Sequence, residues 1–252
     1  MRTTWTQVTM AAAGLLVLTA VSARAGGDDR FRLEIEGGPT WQTRNDFGIP
    51  GDTGTRVDLA AIESGPVGAF RTTLTWDAGE RWSLRLLAAP LRLKTSFVPD
   101  AAIDFDGATF PAGETVTARY RFDSYRLSWI YRFPPGKRWS FRAGFTAKIR
   151  SAEIGIEGPS ASRTYDNVGF VPLLHGGARF QASERLAIEL EADALAAPQG
   201  RAEDVILRGD FQLSDKASAY VGYRFVEGGA DNEKVFTFAF LHYAVAGIRL
   251  RF

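Results

Sequence analysis

The sequence contains no cysteine, and its 252 residues include only two histidines and two methionines. The absence of thiols excludes a disulfide framework and thiolate chemistry. Without cysteine, and with so few histidines, the chain has no zinc-ligand spacing, and we expect neither a metal nor a cofactor. Beyond the N-terminal segment there is no apolar stretch of the roughly 18 residues that a transmembrane helix needs. Any insertion into a membrane must therefore use strands.

A strong charge of either sign is also missing. The chain has 30 Lys and Arg residues against 29 Asp and Glu residues. Residues 1–25 contain two arginines and no acid, so the remainder has 28 basic and 29 acidic residues, a net charge of −1. Nucleic-acid-binding proteins usually show a basic excess. We therefore expect no nucleic-acid partner.

The N-terminus has the pattern of a secretory signal. Arg2 supplies the positive charge, an apolar run extends from Met10 to Val21, and Ala23 and Ala25 form a small-residue cleavage site. The run is shorter than the roughly 20 residues of a spanning helix. We predict a signal peptide over residues 1–25 and a single domain over residues 26–252.

From about Phe31 onward, apolar and polar residues alternate with the two-residue period of β-strands. Such segments recur about ten times, and many reach the roughly 9–11 residues of a tilted transmembrane strand. The pattern predicts an all-β fold, a transmembrane antiparallel up-and-down β-barrel of about ten strands, with eight or twelve as alternatives.

The connections between these segments are predicted to alternate between short and long. In outer-membrane barrels the short turns face the periplasm and the long loops face the exterior. An even strand number then leaves both termini in the periplasm. The predicted turns are 77–80, 134–137, 182–184 and 214–216, and the predicted long loops are 43–65, 99–114, 157–167, 197–204 and 227–233.

A secreted, lipocalin-like soluble barrel is the main alternative, because alternation alone does not say which face points outward. Three features favour the membrane barrel. The polar face carries full charges of both signs deep in the strands, and the chain ends within a strand on Phe252. Aromatic residues also cluster at strand ends, as in an interfacial girdle. These are Trp41, Trp76, Trp82, Tyr131, Phe133 and Trp139.

Together, the signal pattern, the alternating connections and Phe252 resemble those of bacterial outer-membrane β-barrel proteins over the whole mature length, with no single functional family matched. The resemblance implies location in the bacterial outer membrane, with outer-membrane lipids and lipopolysaccharide as neighbours. It also implies that Phe252 and its strand are recognised by the outer-membrane assembly machinery.

Three positions depart from simple alternation. Leu91 and Leu93 fall out of phase after Pro90, and the next segment changes parity around residues 123–124. A β-bulge in each strand is the expected explanation, because one extra residue swaps the two faces. His242 lies on the apolar face of the last strand, which predicts either the headgroup boundary or another bulge.

The interior of so narrow a barrel must be largely filled by side chains, and charges there must pair. The predicted lumen charge network consists of Arg150, His175, Arg179, Glu189, Glu191, Asp193, Arg208 and Asp210. Further charges on the same polar faces are Arg71, Arg85, Arg142, Lys148, Arg224, Arg249 and Arg251. Folding back over the predicted connections pairs Arg179 with Glu189, His175 with Glu191 or Asp193, Arg208 with Asp193, and Arg150 with His175.

The weak catalytic candidate is His175, as a general base oriented by Asp193 or Glu191. Two known classes of barrel enzyme are relevant. The omptin proteases are similar in having ten strands, but they use acid pairs and a His–Asp pair near the outer rim, whereas His175 lies mid-strand. The lipid A deacylases use a histidine with a serine two positions later, where this chain has Gly177. We favour a structural ion-pair network and predict no enzyme.

The first long loop is rich in oxygen ligands of the kind that bind Ca²⁺, with Asn45, Asp46, Asp52 and Asp58 among glycine and proline. Turn chemistry explains the same residues, and we predict no metal site. The predicted function is a non-enzymatic barrel with a charged, largely filled lumen that serves envelope integrity or loop-mediated recognition. The alternatives are a narrow channel for small polar solutes and a hydrolase acting on lipid A or peptides through His175.

Overall fold

Antiparallel strands dominate the computed structural model, which describes residues 29–198 and 200–252. The predicted signal peptide lies outside the described residues. Within them, no helix is long and apolar enough to cross a membrane. The elements are β1 Phe31–Gly48, β2 Val57–Asp58, α1 Leu59–Ile62, β3 Val67–Asp77, β4 Trp82–Ala89, β5 Arg92–Phe97, β6 Ile103–Phe105, β7 Ala108–Phe110, β8 Val116–Arg132, β9 Trp139–Glu157, β10 Ser162–Gln181, β11 Leu186–Ala197, β12 Gly200–Gln212, β13 Ala217–Asp231 and β14 Phe236–Arg251.

The wall is a closed, antiparallel, ten-stranded barrel, as predicted. Each wall strand pairs with the next along the chain, and β14 pairs with β1 to close the sheet, with Ile35 opposite Ile248. β5 continues the line of β4, since both pair with β8. The remaining pieces, β2 with α1 and the β6–β7 hairpin, belong to the connections over residues 49–66 and 98–115. The end of the barrel at residues 78–81, 133–138, 182–185 and 213–216 is the turn end, and the opposite end is the loop end.

Exposed apolar side chains form a belt around the turn-side half of the barrel. On β9 the belt runs from Trp139 through Phe145, which is 71% exposed, to Ile149. Ten steps of about 3.4 Å along a strand inclined by about 40° span about 26 Å. This height matches the roughly 25 Å apolar band of transmembrane barrels.

Aromatic residues concentrate at the turn-end edge of this belt. The Trp82 ring lies 4.9 Å from that of Tyr131, and the Trp139 ring lies 4.9 Å from that of Phe180, centroid to centroid. Rings with a polar handle are favoured where apolar and wet surroundings meet. The predicted girdle is therefore present at this edge.

The loop-side edge of the belt carries His242, which faces outward as predicted. It lies opposite Trp41, and its two ring nitrogens contact the hydroxyls of Thr43 at 2.8 Å and Tyr223 at 2.5 Å. A cluster of polar and aromatic groups fits the headgroup boundary. One bulge adjoins it, because β1 gains an extra residue at Thr43, where the pairing with β14 shifts between Gln42 and Arg44.

Beyond this edge the two faces of the sheet exchange their chemistry. On β9, Ile154 and Ile156 point inward and are buried, while Glu153 and Glu157 point outward. Glu153 and Glu157 pair with Arg121 and Arg119 on the outer surface of β8. The loop-side half is thus built like a soluble barrel, with an apolar core. The core contains Phe47, Ile49, Val57, Leu59, Leu91, Leu93, Ile103, Phe105, Phe110, Val116, Ala118, Tyr120, Ile154, Ile156, Ile206, Val226, Ala239, Leu241, Tyr243 and Val245.

The bulges predicted near Pro90 and residues 123–124 are absent, and that prediction was wrong. β8 keeps one register against β4 and β5, with Ala89 opposite Ser124 and Arg92 opposite Arg121. It also keeps one register against β9 over residues 117–132. Side chains therefore keep their facing throughout. What changes is the solvent outside the sheet, so that inward positions become apolar in the loop-side half.

Three of the five predicted long loops are also wrong. The stretches 157–167, 197–204 and 227–233 lie largely in strands, which leaves connections of only a few residues at 158–161, 198–199 and 232–235. The outward side chains of these stretches are polar. A transmembrane strand is expected to have apolar outward side chains, so the pattern predicted loops here instead of strands. Within the part of the chain that the structure describes, long connections occur only at residues 49–66 and 98–115.

The belt predicts a depth-dependent cost for an outward arginine. Leu174 lies mid-belt on β10 and is 55% exposed, whereas Thr164 faces outward ten residues nearer the loop end of the same strand. Leu174→Arg should lower the free energy of unfolding in lipid vesicles by about 2–4 kcal/mol. The matched control Thr164→Arg should change it by less than about 0.5 kcal/mol. Equal losses in a denaturant titration of both variants would contradict the assignment of the belt.

Candidate functional site: the charged lumen

Inward positions of the turn-side half hold a dense set of charged residues, here called the lumen network. The wall strands supply it at every second position, because alternate side chains of a strand share a face. Among the described residues, its acids are Glu34, Glu36, Glu189, Glu191, Asp193, Asp204 and Asp210, and its bases are Arg71, Arg85, Arg126, Arg142, Arg179, Arg208, Arg224 and Arg249. His175 adjoins it.

Asp204 on β12 holds three arginines together. Its carboxylate oxygens lie 2.8 Å from Arg71, 2.7 Å from Arg126 and 2.6 Å from Arg224. Asp193 lies directly opposite Asp204 on β11, which would bring two negative charges together. Arg126 resolves this conflict, because it also bonds Asp193 at 3.0 Å. Charge-assisted bonds of this length are among the stronger ones in proteins.

A second centre forms around Glu189, closer to the turn end. Its carboxylate contacts Arg208 at 2.7 Å, Arg249 at 3.1 Å and Arg142 at 2.5 Å. Glu34 on β1 bridges two of the same arginines, with distances of 2.9 Å to Arg208 and 3.1 Å to Arg249. These contacts join β1, β9, β11, β12 and β14, so the pairs connect strands that are not neighbours in the wall.

His175 is buried on the inward face of β10. Its Nδ1 lies 2.8 Å from Oδ1 of Asp193 and 3.3 Å from Nη2 of Arg85. Its Nε2 lies 3.7 Å from Glu191 and has no hydrogen-bond partner. Oδ1 of Asp193 also accepts a hydrogen bond from the Thr146 hydroxyl at 3.0 Å. The histidine–acid pair has the geometry of an oriented base, and the imidazole is enclosed by the lumen network.

The structure brings together most of the predicted network residues. Arg179 approaches Glu189 at 3.9 Å and bonds Asp210 at 3.2 Å. Two predicted pairs were wrong, since Arg208 lies opposite Glu189 rather than Asp193, and Arg150 bonds Asn167 rather than His175. Both errors have one cause. The turns at residues 198–199 and 158–161 lie nearer to the N-terminus than the centres of the loops predicted there, which shifts the pairing by several residues.

Four of the residues that belong to the lumen network were not among those predicted from the sequence. Glu34, Glu36 and Arg126 stand at alternate positions of strands whose polar faces were identified, so the two-residue period was a sufficient signal for them. Asp204 was assigned to a loop. No sequence signal distinguishes it from a solvated loop acid, yet it is the carboxylate that three arginines share.

Glycines on the inward face make room for network side chains. A Cβ placed on Gly177 would lie 2.6 Å from Nε of Arg142, and one on Gly222 would lie 2.8 Å from Cβ of Arg208. Real Cβ atoms do not approach other atoms so closely. The space next to Gly177 is therefore occupied by the Arg142 side chain, and that next to Gly222 by the backbone of β12 at Leu207 and Arg208.

The oxygen-rich first loop uses its side chains for local contacts. Asp46 pairs with Arg44 at 2.6 Å, and Asn45 donates to Oε1 of Gln42 at 2.8 Å. Asp58 caps α1 by accepting hydrogen bonds from the backbone N–H groups of residues 60 and 61. Over residues 29–198 and 200–252, no group of three or more histidine, aspartate or glutamate side chains is arranged to hold a metal ion.

The barrel has the fold of bacterial outer-membrane proteins. It is similar to the outer membrane protease OmpT of Escherichia coli, with a TM-score of 0.52, 9% identity, and coverage of 89% of this chain and 97% of that chain. The transport unit of the autotransporter AIDA-I of Escherichia coli gives a TM-score of 0.47 at 10% identity, covering 96% and 97%. No protein-family model matches the chain. No curated protein matches it either.

Removal of the Asp204 carboxylate should destabilise the barrel strongly. Asp204→Asn leaves three buried arginines without their shared acid, and breaking a buried pair in this way costs about 3–5 kcal/mol. The control Glu157→Gln breaks an exposed pair with Arg119 and should cost less than about 1 kcal/mol. Denaturant unfolding in vesicles measures both. A loss for Asp204→Asn no larger than that of the control would show that the network does not stabilise the fold.

Proposed function

We propose that this protein is a non-enzymatic barrel of the bacterial outer membrane, closed to solutes, which serves envelope integrity and presents its loop end for recognition. The observation that carries the proposal is that, apart from a cavity of about 170 Å³ at the turn end, both halves of the interior are filled, one by ion pairs and the other by an apolar core. Its partners in this role are the outer-membrane lipids and lipopolysaccharide around the belt.

The ion-pair half supports closure. The cavity within the lumen network, lined by residues such as Glu36, Arg71 and Tyr220, has a volume of about 40 Å³. On this scale a single water needs about 10–15 Å³, so the space holds a few waters. Opening a path would require separating paired charges in a poorly hydrated interior, which is costly.

The apolar half supports closure independently. Phe47 meets Phe105 edge-on with ring centroids 5.7 Å apart, and both are buried. Ile49, Leu59 and Phe110 from the two long connections are buried in the same core. An ion crossing this layer would lose its hydration without gaining partners.

The half of the barrel beyond the belt supports a role in recognition. Its outward charges, such as Arg119 and Arg121 with their glutamate partners, suit water rather than lipid. The strands therefore lift the long connections away from the membrane surface on a continuous sheet. Such an ordered surface suits contact with a partner better than insertion into lipid.

The position of His175 argues against a hydrolase. Its side chain is enclosed by the lumen network, between Asp193, Arg85 and Glu191. A general base must come within hydrogen-bond reach of the proton that it removes. Neither a peptide nor a lipid reaches this imidazole without displacing several ion pairs.

The first test is conductance. Purified protein reconstituted in planar bilayers should show no single-channel steps at neutral pH, because both layers block the pore. A general-diffusion porin prepared in the same detergent provides the positive control. Reproducible steps above the detergent baseline would overturn the closed barrel and favour the narrow channel.

The second test concerns catalysis. Expression of the wild type and of His175→Ala should give identical lipid A profiles by mass spectrometry and equal, background-level cleavage of a peptide library. Arg119→Gln, on the outer surface, is the matched control. A lipid A species or peptide product that requires His175 would establish the hydrolase instead.

A further inference from the structure

A vestibule opens from the turn end into the lumen. Its cavity of about 170 Å³ is lined by eight arginines and only three glutamates. Asp77 and Asp210 lie beside it and bond four of these arginines. Counting both aspartates leaves an excess of three positive charges, and counting Asp193, which bonds Arg85 at 3.3 Å and is shared with Arg126, leaves two. This composition differs from the rest of the lumen network, where acids and bases are nearly balanced.

Like charges face each other across two strand pairs at this mouth. Arg32 on β1 lies directly opposite Arg251 on β14, and Arg132 on β8 lies directly opposite Arg142 on β9. Like charges at directly opposed positions are destabilising unless something compensates them. A sheet that repeats this arrangement twice around one cavity is suited to holding a negative charge between the pairs.

The available acids leave three of these arginines incompletely paired, whereas Arg142 bonds Glu189 at 2.5 Å and Glu191 at 3.0 Å. A single oxygen of Asp77, Oδ1, is shared by Arg32 at 3.2 Å, Arg132 at 3.0 Å and the Ser83 hydroxyl at 2.8 Å. The Nε atoms of Arg32, Arg85 and Arg132 are buried without a hydrogen-bond partner. Within residues 29–198 and 200–252, no carboxylate lies within ion-pair distance of Arg251.

We propose that this turn-end vestibule is a binding site for a phosphate-type oxyanion, held by Arg32, Arg132 and Arg251. Guanidinium groups match phosphate geometry with paired N–H donors. A phosphomonoester carries a charge of about −1.5 to −2 at neutral pH, which suits an excess of two to three positive charges better than a single carboxylate does. The volume exceeds the roughly 10–15 Å³ of one water more than tenfold, leaving room for the anion and its waters.

The site does not depend on whether the lumen conducts. It faces the turn end, which in outer-membrane barrels is the periplasmic side. Phosphate groups there belong either to free phosphate or to the headgroups of lipids in the inner leaflet. Both present the same oxyanion, and the two sources can be separated in solution.

The test is isothermal titration calorimetry of the folded full chain in non-ionic detergent at constant ionic strength. Inorganic phosphate and glycerol 3-phosphate are the two probes, and acetate is the reference anion. Saturable binding of either phosphate, with acetate at least tenfold weaker, supports the site. Tighter binding of glycerol 3-phosphate assigns it to lipid headgroups, and tighter or equal binding of inorganic phosphate assigns it to the free anion.

Variants locate the binding. Arg251→Gln and, independently, Arg132→Gln should each weaken phosphate binding about tenfold or more, since each removes a charge-assisted bond. Arg119→Gln lies on the outer surface beyond the belt and should leave binding unchanged. Circular dichroism confirms that each variant is folded. Absence of saturable binding to both probes, equal binding of acetate, or equal weakening by Arg119→Gln would overturn the proposal.

Discussion

Most charges inside this barrel are paired, with buried Lys148, which lies over the Phe122 ring, as an exception among the described residues. Burying an unpaired carboxylate or guanidinium in a poorly hydrated interior costs several kcal/mol. A charge on one strand therefore needs a partner of opposite sign on another strand. Asp204 pairs with three arginines from β3, β8 and β13, and Glu189 pairs with arginines from β9, β12 and β14. The network thereby ties together strands that do not share backbone hydrogen bonds. Strand register, glycine positions and the narrow bore all favour the formation of these ion pairs.

The outer surface of the sheet contacts lipid in one half and water in the other. In the turn-side half, lipid on the outside favours Phe145 and Leu174, and the interior takes the charges. In the loop-side half, water on the outside favours Arg119 and Glu157, and the interior takes isoleucine and phenylalanine. Along β8 and β9 the facing of the side chains stays the same, whereas their chemistry changes. Ion pairs occupy one half of the interior and apolar side chains occupy the other. The vestibule at the turn end has the largest volume of the cavities described above.

Much of the architecture could be predicted from the two-residue period, because lipid and a charged interior impose it strongly on segments such as residues 139–149. The period fails as a guide where water replaces lipid. The period places Leu91 and Leu93 out of phase after Pro90, whereas in the structure they continue the inward face of residues 83–89. The bulge at Thr43 lies next to the loop-side edge of the belt, where the sequence shows a loop-like polar stretch.

The unbroken register of β8 and β9 also governs how the outer half behaves as a body. These two strands pass from the lipid belt into water without a bulge or a break, so they form a continuous link across the membrane surface, whereas β1 has its bulge at Thr43. The part that stands outside cannot swing independently of the part that is anchored. Any inclination of the anchored portion is reproduced by the exterior portion, which holds the loop end at a constant height and angle above the membrane.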